Sequence, residues 1–390
     1  MSGRITKNPL ADGASWPPAP SAVAKFHHRM PAYAPTLLLD APGLADRFGV
    51  GRVVIKAETR RMGLPSFKIL GASWATYRAI VSHLGQEPAP WTNINELAAN
   101  LAHLRPFKLI TATDGNHGRA VSFMARLLGF ECSIFVPAGM VGGRIRAMER
   151  EGASVTVVEG DYDDAVARAA REGEAADNCL VVSDTSWPGY ETIPSHVVEG
   201  YSTIFDEVDA ALDASGLERP DLVVVPMGVG AFMAAAVTHY RSGEHRPLIV
   251  GVEPVDANCV QESALAGEIT HVPGPHRSIM VGLNCGRPSL TAWPRLASGI
   301  DWLVAVEDDA ARDAMRDLAD AAVAAGETGA ASLAGFSALL ADESARSELP
   351  DLSKSTVLII VTEGATDPEN YEAIVGRTPE SVGRVLTAIS

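Results

Sequence analysis

Short apolar runs of strand length alternate with helix-length segments along almost the whole chain, and this alternation limits the architecture more than any other feature. Leu222-Val223-Val224-Val225, Leu248 to Val252 and Val357 to Val361 are continuous apolar runs. Val53-Val54-Ile55, Phe107 to Thr111, Cys132 to Val136, Ser154 to Val158 and Leu180-Val181-Val182 read the same way. Between them lie segments of helical spacing: Gly71 to Ile80, Ala120 to Leu128, Gly143 to Glu151, Tyr162 to Gly173, and one long segment from His196 to Leu212. Strands covered on both faces lose the in-out alternation of an exposed sheet. The series therefore predicts an α/β chain, with parallel sheets wrapped by helices and ligand groups at the carboxyl ends of the strands. At 390 residues the chain has room for two or three units.

Several strand ends carry residues with chemical potential. Pro65-Ser66-Phe67-Lys68-Ile69-Leu70-Gly71 sets one lysine among apolar and small neighbours at a helix start. Burial disfavours the ammonium form, and a neutral amine condenses with carbonyls. Taken alone, Lys68 could equally be a surface lysine lying along a helix start. Thr113-Asp114-Gly115-Asn116-His117-Gly118-Arg119 follows a strand and precedes a helix, the arrangement that offers backbone N–H groups and short polar side chains to a ligand. Asp114 reads as a helix cap or a base, and Asp184, in Asp184-Thr185-Ser186-Trp187, as a turn residue or a second carboxylate in the cleft. Gly228-Val229-Gly230-Ala231 also follows a strand. It suits a single phosphate, a dinucleotide with Glu253 on the ribose, or a tight turn, and Met233 departs from the dinucleotide pattern. Gly326-Glu327-Thr328-Gly329-Ala330 is either a ligand loop or a helix start.

Composition narrows the class. Apolar residues make up 47% and charged residues 21%, as in an ordinary soluble globular protein, and the formal charge of −16 disfavours nucleic acid and anionic membranes as partners. The stretch from Met1 to about Pro20 is rich in Pro, Ala and Ser and has no signal-peptide core, and no apolar window spans a bilayer. A cytoplasmic location is expected. Cys132, Cys179, Cys259 and Cys285 are widely spaced, and the histidines fall in no ligand pattern, so no metal is expected.

Ser66-Phe67-Lys68, Asp114-Gly115-Asn116-His117-Gly118, Gly228-Val229-Gly230 and Thr362-Glu363-Gly364, in that order, resemble the fold-type II pyridoxal-phosphate enzymes, the group of tryptophan synthase β, threonine dehydratase and cysteine synthase. Within the group the chain is most similar to the diaminopropionate ammonia-lyases. That closer resemblance rests on Thr111 to Arg119, Asp184 to Trp187, Ile279 to Gly286 and Thr362 to Glu369. Val136-Pro137-Ala138-Gly139 departs from it by lacking a lysine after the proline.

The resemblance implies two doubly wound parallel-sheet domains, the smaller (74–180) inserted in the larger (1–73 and 181–390). It implies pyridoxal 5'-phosphate joined to Lys68, its phosphate on Gly228, Val229, Gly230 and Ala231, its ring hydroxyl on Asn116 and its ring nitrogen on Thr362. Lys68 and Asp114 would take the α-proton of opposite enantiomers with Asp184 assisting, and His117 and Arg119 would lie near the substrate carboxylate. It implies a homodimer acting on a small amino acid, and α,β-elimination of 2,3-diaminopropionate to pyruvate and two ammonia. The alternatives are a serine or threonine dehydratase, a β-substituting enzyme of the same fold, or a nucleotide-binding oxidoreductase. Cys259 and Cys285 match a pair that in the family can form a disulfide.

Overall fold

A computed structural model of the chain describes residues 4–113 and 115–382. Among the described residues eleven strands form two sheets, a seven-stranded one in the order β1-β10-β9-β8-β11-β3-β2 and a four-stranded one in the order β6-β5-β4-β7. The larger sheet comprises β1 (Arg4–Lys7), β2 (Leu38–Asp40), β3 (Arg52–Ala57), β8 (Leu222–Pro226), β9 (Leu248–Pro254), β10 (Trp302–Val306) and β11 (Thr356–Val361). The smaller comprises β4 (Lys108–Ala112), β5 (Glu131–Pro137), β6 (Ser154–Val158) and β7 (Cys179–Val181), and so lies in sequence between β3 and β8.

The continuous apolar runs become the centre of the larger sheet. β8 is buried throughout, and β3 and β11 are buried except at their first residues. β10, β9, β8, β11 and β3 are mutually parallel, as covered strands joined by helical crossovers must be. The margins depart from the all-parallel expectation, because β1 pairs antiparallel with β10 and β2 antiparallel with β3. β1 comes from the Pro-rich start of the chain, where four residues carry too little pattern to announce a strand.

One core contains Phe26, Leu70, Val121, Val136, Tyr201 and Phe232, and so joins a face of the larger sheet to a face of the smaller one. A second, with Val224, Met315 and Phe336, covers the opposite face of the larger sheet. The helix Lys68–Leu84 runs through the shared core and begins on the lysine itself, three residues before the segment expected from spacing. The long helix expected from His196 to Leu212 divides into Thr192–Gly200 and Ser202–Ala214. The division falls where backbones meet. A Cβ on Gly200 would stand 2.5 Å from the Leu70 carbonyl oxygen, and one on Gly71 would stand 2.5 Å from the Tyr201 ring. Among the described residues no helix is long and apolar enough to cross a membrane.

Candidate active site

Five strands of the two sheets lead into one pocket. β3 delivers the chain to Lys68, β4 to Asn116, β7 to Asp184, β8 to the Gly228–Ala231 turn and β11 to Thr362, and side chains from all five line the same cavity. The lysine segment is tied to the end of β11. Ser66 pairs with Glu363, Gly364 N–H donates to the Pro65 carbonyl at 2.9 Å, and Glu58 N–H donates to Val361 at 2.8 Å.

Burial alone does not set the state of Lys68. Its Nζ donates to Asp184 Oδ2 at 2.7 Å, an ammonium-carboxylate contact in a part-buried setting. Lys68 thus faces a carboxylate as well as its apolar neighbours. Burial opposes ionisation of Asp184, but His117 and Lys68 outweigh it and hold the carboxyl well below the usual carboxylate range. The Tyr162 hydroxyl donates to the other oxygen, Oδ1, at 3.4 Å.

The helix that follows β4 begins at Asn116, inside the stretch read as a loop, and runs to Leu128. Successive residues on a helix point about 100° apart, so its first turn fans Asn116, His117 and Arg119 in different directions. Asn116 lines the pocket. His117 is buried beneath it, with Nε2 on the Val182 carbonyl at 2.9 Å and Nδ1 3.8 Å from Asp184, beyond hydrogen-bond reach. Arg119 Nε lies 3.5 Å from Glu151. Neither residue lines the pocket, which corrects their expected place beside a substrate carboxylate. Asp114 lies outside the described residues.

The Gly228–Ala231 turn opens the helix Ala231–Tyr240, whose first N–H groups and dipole favour an anion. The glycines have steric reasons. Gly230 has φ 92°, and a Cβ there would stand 2.3 Å from Leu296, while one on Gly228 would stand 3.0 Å from the Gly282 carbonyl. Glu253 is not free for a ribose. It accepts from Val260 and Gln261 N–H at 2.8 and 2.9 Å at the start of the helix Cys259–Ala266, and burial pushes its carboxyl up to about 8.

Sequence reasoning missed Glu363 as a pocket side chain, although it had marked the motif containing it. Its carboxylate accepts from Asn116 Nδ2 and from Thr328 N–H, the latter at 3.2 Å, and it lies within the pocket wall. Burial raises its pKa, with Arg144 pulling the other way. The Gly326–Ala330 loop now has a reading. It starts the helix Glu327–Ala341, and its glycines let that helix press on Glu363, since a Cβ on Gly329 would stand 2.4 Å from the Glu363 carbonyl oxygen. Arg144 and Tyr162 also line the pocket without any local motif to mark them. Cys259, of the pair the resemblance singles out, is buried.

Residues 29–363 match the family model described as pyridoxal-phosphate dependent enzyme. The chain belongs to that family. A curated relative, the diaminopropionate ammonia-lyase of Escherichia coli (strain K12), is 32% identical over 95% of this chain and 96% of its own. A crystal structure of diaminopropionate ammonia lyase from Escherichia coli, in complex with an aminoacrylate-PLP azomethine reaction intermediate, superposes with TM-score 0.84. It is 29% identical and covers 96% of this chain and 97% of its own. The L-threonine ammonia-lyase of Geobacter sulfurreducens is 28% identical over 71% of this chain and 64% of its own. The pocket suits the family's coenzyme, since it offers one amine, a glycine turn at a helix N-terminus, an amide and a hydroxyl.

Proposed function

We propose that this enzyme catalyses the α,β-elimination of 2,3-diaminopropionate, with water, to pyruvate and two ammonia. The observation that carries this reading is similarity to diaminopropionate ammonia-lyase along nearly the full length of both chains, against partial coverage for the threonine enzyme. Pyridoxal phosphate, when bound, supplies the electron sink for the pair left on the α-carbon as its proton departs.

The residues of this chain divide the remaining work. Lys68 would hold the coenzyme, and its amine, once free, would take the α-proton of one enantiomer. Asp114 takes that of the other. Asp184 supports the lysine's role, because it sits 2.7 Å from Nζ and can stabilise the ammonium that proton uptake creates. Gly228, Val229, Gly230 and Ala231 present backbone N–H groups to the phosphate. Asn116 would hold the ring hydroxyl, and Thr362, a neutral partner, the ring nitrogen. The β-amino group leaves as the first ammonia, and hydrolysis of the remaining enamine yields pyruvate and the second.

We further propose that the smaller domain spans residues 74–180, which its four-stranded sheet supports. The family resemblance supports a homodimer and a cytoplasmic location.

The test compares ammonia released per pyruvate from each enantiomer of diaminopropionate and from serine, with absorption spectra before and after addition. Two ammonia per pyruvate, with faster turnover of diaminopropionate than of serine, is the expected result. Preference for serine instead identifies a dehydratase. Borohydride trapping and mass spectrometry should place a pyridoxyl group on Lys68, and Lys68→Ala should lose both the adduct and turnover. Wild-type turnover by Lys68→Ala would end the assignment.

A further inference from the structure

A separate cavity of about 250 Å³ lies under the Pro17–Pro20 strap. Its walls come from the Thr192–Gly200 and Ser202–Ala214 helices, the Ala231–Tyr240 helix, and Thr291 with Arg295 at and within the helix Trp293–Gly299. None of its lining residues lines the coenzyme pocket.

The ionisable lining is Arg295 from one helix and Glu199, Asp206 and His239 from others. Arg295 is half-buried. Its Nε donates to Thr238 Oγ1 at 2.9 Å and Nη1 to the Thr291 carbonyl at 3.3 Å, and the guanidinium lies 4.6 Å from the centre of the Trp16 ring. Among the described residues it has no carboxylate within ion-pair distance. Glu199, whose charge acts on Arg295, is instead held by His196 at 2.8 Å and by the Trp74 indole N–H at 2.8 Å. A guanidinium drawn out of water without a counter-ion is costly, and an anionic ligand relieves that cost. The acids on the neighbouring helices suit a cation beside that anion.

We propose that this cavity is a second binding site, for a small zwitterionic amino acid whose carboxylate pairs with Arg295 and whose ammonium faces Glu199 and Asp206. The planar fork of Arg295 matches a carboxylate in two parallel hydrogen bonds. The cavity volume admits an amino acid with a short side chain. Its walls also reach the coenzyme pocket. Gly200 abuts Leu70 beside Lys68, and the Ala231–Tyr240 helix begins at the phosphate turn. Thr291 N–H donates to Ser186 Oγ at 3.0 Å, Ser186 meets Ser289 at 2.6 Å, and Ser289 N–H donates to the Val229 carbonyl at 2.8 Å.

The test titrates holoenzyme with glycine, which has no β-substituent to lose, by calorimetry and absorption together. Two binding events per chain are expected, one that perturbs the coenzyme spectrum and one silent in it. Arg295→Gln should weaken the silent event by about 10- to 100-fold, the weight of a charge-assisted hydrogen bond, and leave the spectral one. Ser195→Trp, which fills the cavity without changing its charge, should also remove the silent event. Propionate, lacking the ammonium, should compete there more weakly than glycine. A single, spectrally active event in wild-type holoenzyme overturns the proposal, as does a silent event that survives both substitutions or propionate binding as tightly as glycine.

Discussion

Asn116 and Glu363 show how a residue outside the expected set can govern one inside it. An asparagine amide can face a coenzyme with its oxygen or its nitrogen, and only the nitrogen donates. Because Nδ2 also donates to Glu363, the amide is turned so that its remaining N–H is available to the pocket. Glu363 in turn is held by Thr328 N–H at the start of a helix. Glutamine at this position can accept only through one atom, so either Thr328 or Asn116 would meet an NH₂ group. We expect Glu363→Gln to keep its fold by circular dichroism but to hold pyridoxal phosphate about tenfold more weakly, the weight of one mispaired buried hydrogen bond. Its coenzyme absorption band should shift as well. Fluorescence titration of apoenzyme measures the first effect, and an unchanged dissociation constant would remove Glu363 from the positioning role.

At the scale of the element, His27 fastens the helix Ala22–His27 to the lysine segment. Its Nε2 donates to the Leu70 carbonyl at 3.0 Å, so Nδ1 accepts from the Thr203 hydroxyl at 2.7 Å. Burial lowers its pKa from 6.5 to about 3. The unfolded chain takes up this proton near 6.5 and the folded chain only near 3. The histidine's contribution is therefore complete above 6.5 and is lost as pH falls, by about 1.4 kcal/mol per unit. Between pH 6.5 and about 5 buried carboxyls such as Glu253 contribute an opposing slope to both proteins, so the difference in stability between wild type and His27→Leu, read from denaturant melts, should carry the histidine's slope, and a difference independent of pH would remove this role. None of this was legible in the sequence, where the histidines only fall in no ligand pattern. What could be read were the strands buried on both faces, because their apolar runs are unbroken, and the residues that motifs fix locally: Lys68, Asn116, the Gly228–Ala231 turn and Thr362. β10, five buried residues of Trp-Leu-Val-Ala-Val, carried the same signal and was overlooked. β1 and β2 are margins of four and three residues, too short to carry a local pattern, and the partner of β1 is remote in sequence. Arg119 was misplaced because the helix start at Asn116 decides its direction, and Glu363, Arg144 and Tyr162 reach the pocket only through the fold.

The whole molecule depends on a buried charge cluster that joins distant parts of the chain. Arg61 donates from Nε to Glu58 at 3.0 Å, from Nη1 and Nη2 to Glu207 at 2.6 and 2.8 Å, and from Nη1 to the Ala34 carbonyl at 3.1 Å. Lys56 Nζ donates to Glu207 at 2.6 Å and to the Thr36 carbonyl at 2.9 Å. All four charged side chains are at most 6% exposed, so β3, the approach to Lys68, the Ser202–Ala214 helix and the segment before β2 meet in a nearly dry, charge-balanced knot. Burial by itself would lower the Arg61 pKa, but Glu58 and Glu207 more than reverse it. Removing Arg61 leaves two buried carboxylates facing one lysine. Arg61→Met should therefore cost about 3–5 kcal/mol, a large share of the 5–15 kcal/mol typical of a folded domain. If the uncompensated charge is the cause, adding Glu58→Leu should restore balance, and the double variant should be more stable than Arg61→Met alone. Thermal melts of the three proteins decide this, and a double variant that melts below Arg61→Met would mean that the hydrogen-bond geometry, rather than the charge balance, holds the knot together.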